Sequence, residues 1–356
     1  MRMKGWGPTA AFAMIASAYF AAYTHAQAQA DAKAAAVIAD LRKAMGGEQK
    51  IAALKSLSLR ADYRREMGAM GGGGGGTQMI MIGPGGGGGG PVQMSGKIEI
   101  DLELPERYLR ADIGTGGFAL TRTEGFEGTR PFIDFVSNMP GARFSADNPA
   151  ADPARARAAL RRSNAELARL LLGLVGTTQA SFPVTFAYGG IAESPDGKAH
   201  IVDVSGPEDF KARMYIDTES NLPLMLTYMD AEPRIVTRSM TRDGGPAGGP
   251  AGGGHGAPQV FTAGGGGNVA VGRGGQGPEL TPEQRAELEK ARKEAEAAPP
   301  RMIEYRLFFS DYRKVDGLSM PHRIARGTGT TTTEEWDVTS YKVNPTFKAD
   351  RFKVGS

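Results

Sequence analysis

Lys97-Ile98-Glu99-Ile100-Asp101-Leu102-Glu103-Leu104 carries a charge at every odd position and a branched aliphatic at every even one. Successive side chains of a strand point to opposite faces, so this stretch has one wetted face and one apolar face. Such alternation belongs to an antiparallel sheet with water on one side and apolar cover on the other. The pattern recurs in both directions along the chain. Upstream, Leu57, Leu59, Ala61 and Tyr63 share one face of Ser56 to Arg64, with serines and charges on the other. Downstream, Tyr108–Ile113, Gly117–Thr123 and Arg130–Val136 read as further strands.

Two segments change period. Between Asp31 and Met45, the residues Ala34, Val37, Ile38, Leu41 and Met45 fall on one helical stripe, and Gly46-Gly47 stops it. A second short helix, Glu48 to Leu54, precedes the first strand. Asp152 to Val175 is the longest amphipathic helix of the expected core. Leu160, Leu167, Leu170, Leu171 and Leu174 form its stripe, with Arg157, Arg161, Arg162 and Arg169 away from it. It is either a helix packed over the sheet or a movable lid over an apolar cavity.

Strands then resume. Phe182, Val184, Phe186 and Tyr188 share a face, and Asp196-Gly197 turns the chain into His200–Val204. Lys211–Asp217 is followed by Leu222–Met229, in which Leu222, Leu224, Leu226 and Tyr228 line up, and then by Arg234–Met240. Ile303, Tyr305, Leu307 and Phe309 alternate with polar neighbours. Asp316-Gly317 turns into Ser319–Ile324, and Thr330–Val343 pairs back. The fold class is therefore α+β and mainly β: an antiparallel sheet of about ten or more strands with a few helices.

Glycine is concentrated: residues 68–90 hold 14 and residues 244–277 hold 16 of the 51, so the rest has ordinary globular composition. These tracts read as a loop insertion at 68–90 and a flexible insertion at 243–300, the latter with a solvated helix from Thr281 to Ala298. Around them residues 31–356 form a single domain. Residues 1–30 read as a secretory signal peptide: Arg2 and Lys4, the apolar run Ala10–Ala22, then small-residue cleavage sites near Ala26–Ala30. No second long apolar run follows, so no stable membrane span is expected after its removal. Lys plus Arg number 42 and Asp plus Glu 39. Without Arg2 and Lys4 the balance is 40 against 39, or +1, which gives no argument for nucleic acid. The absence of cysteine rules out disulfides and thiol chemistry and suits a bacterial periplasm or exterior.

Catalytic signatures are lacking. His200, His255 and His322 show no ligand spacing, no Gly-x-Ser-x-Gly elbow occurs, and the glycine tracts lack the Lys-Ser/Thr of a phosphate loop. Asp217 to Tyr228 departs from a calcium loop at its sixth and twelfth positions. No metal or cofactor is expected. A hydrolase site would have to be assembled from distant positions such as Glu124, Asp134 or Asp203.

Certain phrases resemble the periplasmic lipoprotein-carrier (LolA-like) superfamily. They are Gly46-Gly47 with Ile51–Leu57, then Asp196-Gly197 with Ile201–Val204, Met214–Asp217 with Leu222-Pro223-Leu224, and Phe309–Leu318 with Met320-Pro321. The likeness spans most of the chain outside the glycine-rich segments, and its turn-and-strand phrases specify a fold more than a function. It implies an unclosed, strongly curved antiparallel barrel covered by helices, whose concave face takes a lipid, a lipoprotein acyl chain or another apolar ligand. On that reading Ile98, Ile100, Leu102, Leu104, Phe182, Phe186, Leu224, Leu226, Tyr305 and Leu307 line the face, and Leu167, Leu170, Leu171 and Leu174 close it. The competing expectation is a closed core, with the protein serving as an envelope-sensing or protein-interaction module that engages an envelope protein.

Overall fold

The computed structural model describes residues 31–67, 92–115, 120–137, 149, 152–232, 235–238, 260–263, 267–270, 286, 290, 301–348 and 350–353. Helix α1 (31–45) and the short α2 (Glu48–Ala52) lead into β1 (Ser56–Met67), β2 (Val92–Glu103), β3 (Arg107–Gly114), β4 (Leu120–Glu127) and β5 (Arg130–Ser137). Helix α3 (Pro153–Val175) follows, then β6 (Thr185–Ser194), β7 (Gly197–Ser205), β8 (Lys211–Asp217) and β9 (Pro223–Ala231). Three short strands, β10 (Ile235–Arg238), β11 (Val260–Ala263) and β12 (Gly267–Ala270), form a small sheet of their own. The chain closes with β13 (Met302–Val315), β14 (Leu318–Thr328) and β15 (Thr331–Val343).

The main sheet has 12 strands in the order β5-β4-β3-β2-β1-β15-β14-β13-β9-β8-β7-β6. Every pairing in it is antiparallel, and no described pairing joins β5 to β6, so the sheet is unclosed. Helix α3 touches β4 and β5 near one edge as well as β14 and β9, which requires the sheet to wrap around it. The mainly β, curved-sheet expectation holds. β9 pairs directly with β13, Ala231 opposite Met302, so residues 232–301 leave and re-enter at one point. Residues 1–30, read above as a signal peptide, and 68–90, read as a loop insertion, lie outside the described residues. So does the helix expected over 281–298, apart from residues 286 and 290.

The concave face is built as the alternation predicts. Register places Leu57 opposite Leu102, Leu59 opposite Ile100 and Ala61 opposite Ile98. These residues join one buried cluster with the stripes of α1 and α3. Asp152 caps α3 by accepting from Ala154 N–H at 2.8 Å, with Pro153 in the first turn, where no N–H partner is needed. The two helices meet at their ends, where Arg42 Nε donates to the Gly176 carbonyl at 3.1 Å. Asp316 and Gly317 both adopt positive φ (50° and 82°), which matches strand twist in the β13–β14 turn.

Gly173 sets the depth of α3. A Cβ there would lie 2.0 Å from the ring of Phe309 on β13. Phe309 is itself buried, so Gly173→Ala must move the ring or the helix. The expected cost is about 1–3 kcal/mol, seen as a lower urea midpoint with unchanged slope, and Phe309→Leu in the same chain should recover part of it.

One expected alignment fails. Leu224 does not share a face with Leu226 and Tyr228; it is 44% exposed. The cause is a bulge: Tyr215 pairs with Met225 while Ile216 pairs with Pro223, so Leu224 is the extra residue and turns outward. The convex face is partly covered by the chain after β15. Phe352, with Phe347 against it, packs on Leu109 and Ala111, while Arg351 donates to Asp101 at 2.6 Å and to Glu99 at 2.9 Å.

Candidate functional site

The apolar residues expected to line a ligand face come together, but as packed core. Ile98, Ile100, Leu102, Phe182, Leu226, Tyr305, Leu307, Leu167, Leu170, Leu171 and Leu174 are all buried in the single cluster, with Leu104 and Phe186 at its margin. Leu224 stands apart from it.

Beside this core lies an open cleft of about 1090 Å³ between the N-terminal half of α3, the segment 207–210 and strands β8, β9 and β13. Of the expected ligand residues, Phe182 alone lines it. Phe210 stands edge-on to Phe182 at 5.2 Å between centroids, and Tyr228 forms part of the wall. Arg169 was expected to point away from the apolar stripe. Instead its guanidinium lies 3.7 Å from the Tyr228 ring centroid and 3.3 Å from Asp230 on β9, so it fastens α3 to the sheet at the cleft.

Behind Tyr228 the concave face ceases to be apolar. Tyr228 stacks on Tyr305 at 5.5 Å, and further strands contribute Arg65, Arg110, Asp112, Arg122, Glu124, Arg326 and Glu334. Arg110 is 5% exposed and forks onto Asp112 at 2.8 and 3.2 Å. It also reaches Glu166 of α3 at 2.5 Å, and it lies 5.0 Å from the Trp336 ring centroid. Arg65 bridges Asp112 (3.2 Å) and Glu334 (2.9 Å), and Trp336 Nε1–H donates to Glu334 at 2.8 Å. Arg326 lies 3.8 Å from Glu166, and Arg122 holds Glu124 at 2.6 Å. Arg122 Nε, Arg326 Nε and the hydroxyls of Tyr108 and Tyr305 are buried with no hydrogen-bond partner among the described residues.

Burial by itself would raise the carboxyls of this network; the surrounding guanidiniums reverse the sign. Arg65, Arg110 and Arg326 hold Glu334 down at about 2, and Arg110 with its neighbours holds Asp112 and Glu166 below the usual range. Burial, with Tyr228 and Asp230 nearby, pushes the Tyr305 hydroxyl up to about 12, so it stays protonated as a donor.

Strand periodicity does not single out this polar network, because of how β3 reads. Tyr108-Leu109-Arg110-Ala111-Asp112-Ile113 suggests Leu109, Ala111 and Ile113 as the inward row. Register reverses this: Arg110 stands opposite Ile100, and Asp112 opposite Ile98, on the concave side. The one available clue was that Tyr108, Arg110 and Asp112 lie an even number of residues apart.

The positions considered for a hydrolase do not assemble. Glu124 is paired with Arg122, Asp203 with Arg213 at 2.7 Å on the surface, and Asp134 accepts from Phe135 N–H at 2.9 Å. His200 meets the Tyr188 hydroxyl at 3.2 Å, and His322 lies 3.1 Å from the Met320 carbonyl. His255 lies outside the described residues. No group of three metal-ligating side chains occurs among the described residues, and no described helix is long and apolar enough to cross a membrane.

No family model matches this chain, and no curated protein matches it. Among solved structures it is similar to a LolA superfamily protein from Nitrosomonas europaea, with 8% identity and a TM-score of 0.38 over 90% of this chain and 97% of that one. It is also similar to a DUF1329 family protein from Desulfovibrio piger, with 8% identity and a TM-score of 0.37 over 90% and 97%. A third similarity is to a domain from Vibrio parahaemolyticus described as an outer membrane lipoprotein-sorting protein, with 10% identity and a TM-score of 0.35 over 86% and 94%.

Proposed function

We propose that this protein is a non-enzymatic binding protein of the bacterial periplasm that holds a lipid, a lipoprotein acyl chain or another apolar ligand between its concave sheet and α3. The supporting observation is the way α3 is fastened. Its leucines cover an apolar sheet face, while polar contacts at Glu166 and Arg169 tie it to the sheet beside an open cleft.

This arrangement suits exchange. If an acyl chain replaces the α3 leucines within the buried cluster, apolar burial is conserved. Each buried methylene contributes about 0.8 kcal/mol, so a sixteen-carbon chain offers on the order of 10 kcal/mol before ordering costs. The cleft, about 1090 Å³, matches the upper range of small-molecule pockets, roughly 300–1,000 Å³, and meets the core at Phe182 and Tyr228.

The test is native mass spectrometry of protein incubated with oleate or phospholipid vesicles, followed by organic extraction. A discrete lipid adduct is expected. Arg169→Gln removes the stack on Tyr228 and the Asp230 pair, worth about 1–2 kcal/mol together, and should speed ligand uptake about fivefold or more. The close packing of nearly all the expected lining residues favours the second reading, a closed core with a protein partner in the envelope. An apo mass unchanged by every acyl ligand, in a folded protein, would favour that reading over ours.

A further inference from the structure

We infer that the ligand is an anionic amphiphile, and that its carboxylate or phosphate headgroup takes the place Glu166 holds against Arg110 and Arg326. This rests on the acyl-chain reading and adds the ligand's polar end to it.

The argument begins with charge on the sheet alone. Arg65, Arg110 and Arg326 face Asp112 and Glu334, three cations against two anions, on the concave side. Glu166 supplies the third carboxylate, and it comes from the covering helix. Arg122 and Glu124 neutralise each other at 2.6 Å, and Asp230 is exposed enough at the cleft to be rewetted when Arg169 departs. If a neutral ligand displaced Glu166 and resealed the site, one positive charge would be left buried and unpaired, which is costly. An incoming anion restores neutrality.

The unused hydrogen-bonding groups are of the matching kind. Arg326 Nε, Arg122 Nε and the Tyr305 and Tyr108 hydroxyls are all buried donors without a partner among the described residues. Guanidinium forks match the oxygens of carboxylate and phosphate, and such charge-assisted bonds are about twice as strong as neutral ones.

Position then selects an amphiphile over a free anion. One cross-strand row runs Leu59, Ile100, Arg110, with Leu57 and Leu102 in the row beside it. A headgroup on Arg110 would therefore lay its chain directly on the apolar floor. Glu166 is followed on α3 by Leu167, Leu170 and Leu171, so the helix presents the same order that the ligand would: a carboxylate, then aliphatic surface.

The experiment compares oleate, oleoyl lysophosphatidate and the neutral oleyl alcohol by calorimetry on wild type, Glu166→Gln and Arg326→Gln. At least one anion should bind wild type roughly tenfold or more tightly than the alcohol. Whichever of oleate and lysophosphatidate is favoured identifies the headgroup as carboxylate or phosphate. Glu166→Gln should widen the anion-to-alcohol ratio, because the competing carboxylate is gone, and Arg326→Gln should narrow it. Equal affinity for all three amphiphiles, unaltered by Glu166→Gln, overturns the headgroup site and leaves the acyl-chain reading standing. Failure of all three to bind overturns both. Should Arg326→Gln not fold, the response of Glu166→Gln alone decides.

Discussion

Replacing Arg110 by Met is expected to destabilise the protein by about 3–5 kcal/mol, although the new side chain is apolar and fits a buried site. The reason is what stays behind. Arg110 serves Asp112, Glu166 and Glu334 together, at 2.8, 2.5 and 3.5 Å. Without it, three carboxylates share a desolvated space with Arg65 and Arg326. They must then bind protons or separate. Urea unfolding at pH 7 measures the loss. Adding Glu166→Gln to Arg110→Met should return part of it, because one of the stranded charges is then removed; strictly additive losses would show that the groups do not act as one network.

Acidification is the second large effect. The carboxyls of Glu334, Asp112 and Glu166 lie below their ordinary values in the folded chain, Glu334 at about 2. Between pH 5 and 2 the unfolded chain therefore binds more protons than the native one, and stability rises with pH across that window. The contribution is complete above the unfolded carboxylate value, about 4.3, and is lost as pH falls towards 2. The urea midpoint should be nearly flat from pH 8 to about 5.5 and then fall steeply. Glu334→Gln isolates the cause: it should lower stability at neutral pH, where its bonds to Arg65 and Trp336 lose their charge, and should converge with wild type at low pH. Parallel curves would place the acid sensitivity elsewhere.

Both effects concern residues that strand periodicity does not single out. Where one face of a segment is aliphatic and the other charged, as at Lys97–Leu104 and in β1, hydrophobic burial decides the orientation and the sequence is enough to read it. The same holds for α1 and α3, whose stripes and terminal glycines agree with one another, and for the Asp316-Gly317 turn. Leu224 shows the limit of this reading. A bulge depends on how two strands fit side by side, and a single strand does not contain that information.

By itself, then, the sequence determined an α+β protein dominated by antiparallel strands, the aliphatic rows that form its core, and the helix that covers them. Tertiary structure alone decided the polar half of the interior. In β3, Leu109 and Ala111 are drawn outward because Phe352 of the C-terminal segment covers them there, which releases Arg110 and Asp112 to face inward. Those charges tolerate burial only because Arg65, Glu166, Arg326 and Glu334, distant in the chain, converge on them. Long-range pairing of this kind leaves no period to read, since each partner is an ordinary charged residue until the sheet curves and α3 closes over it.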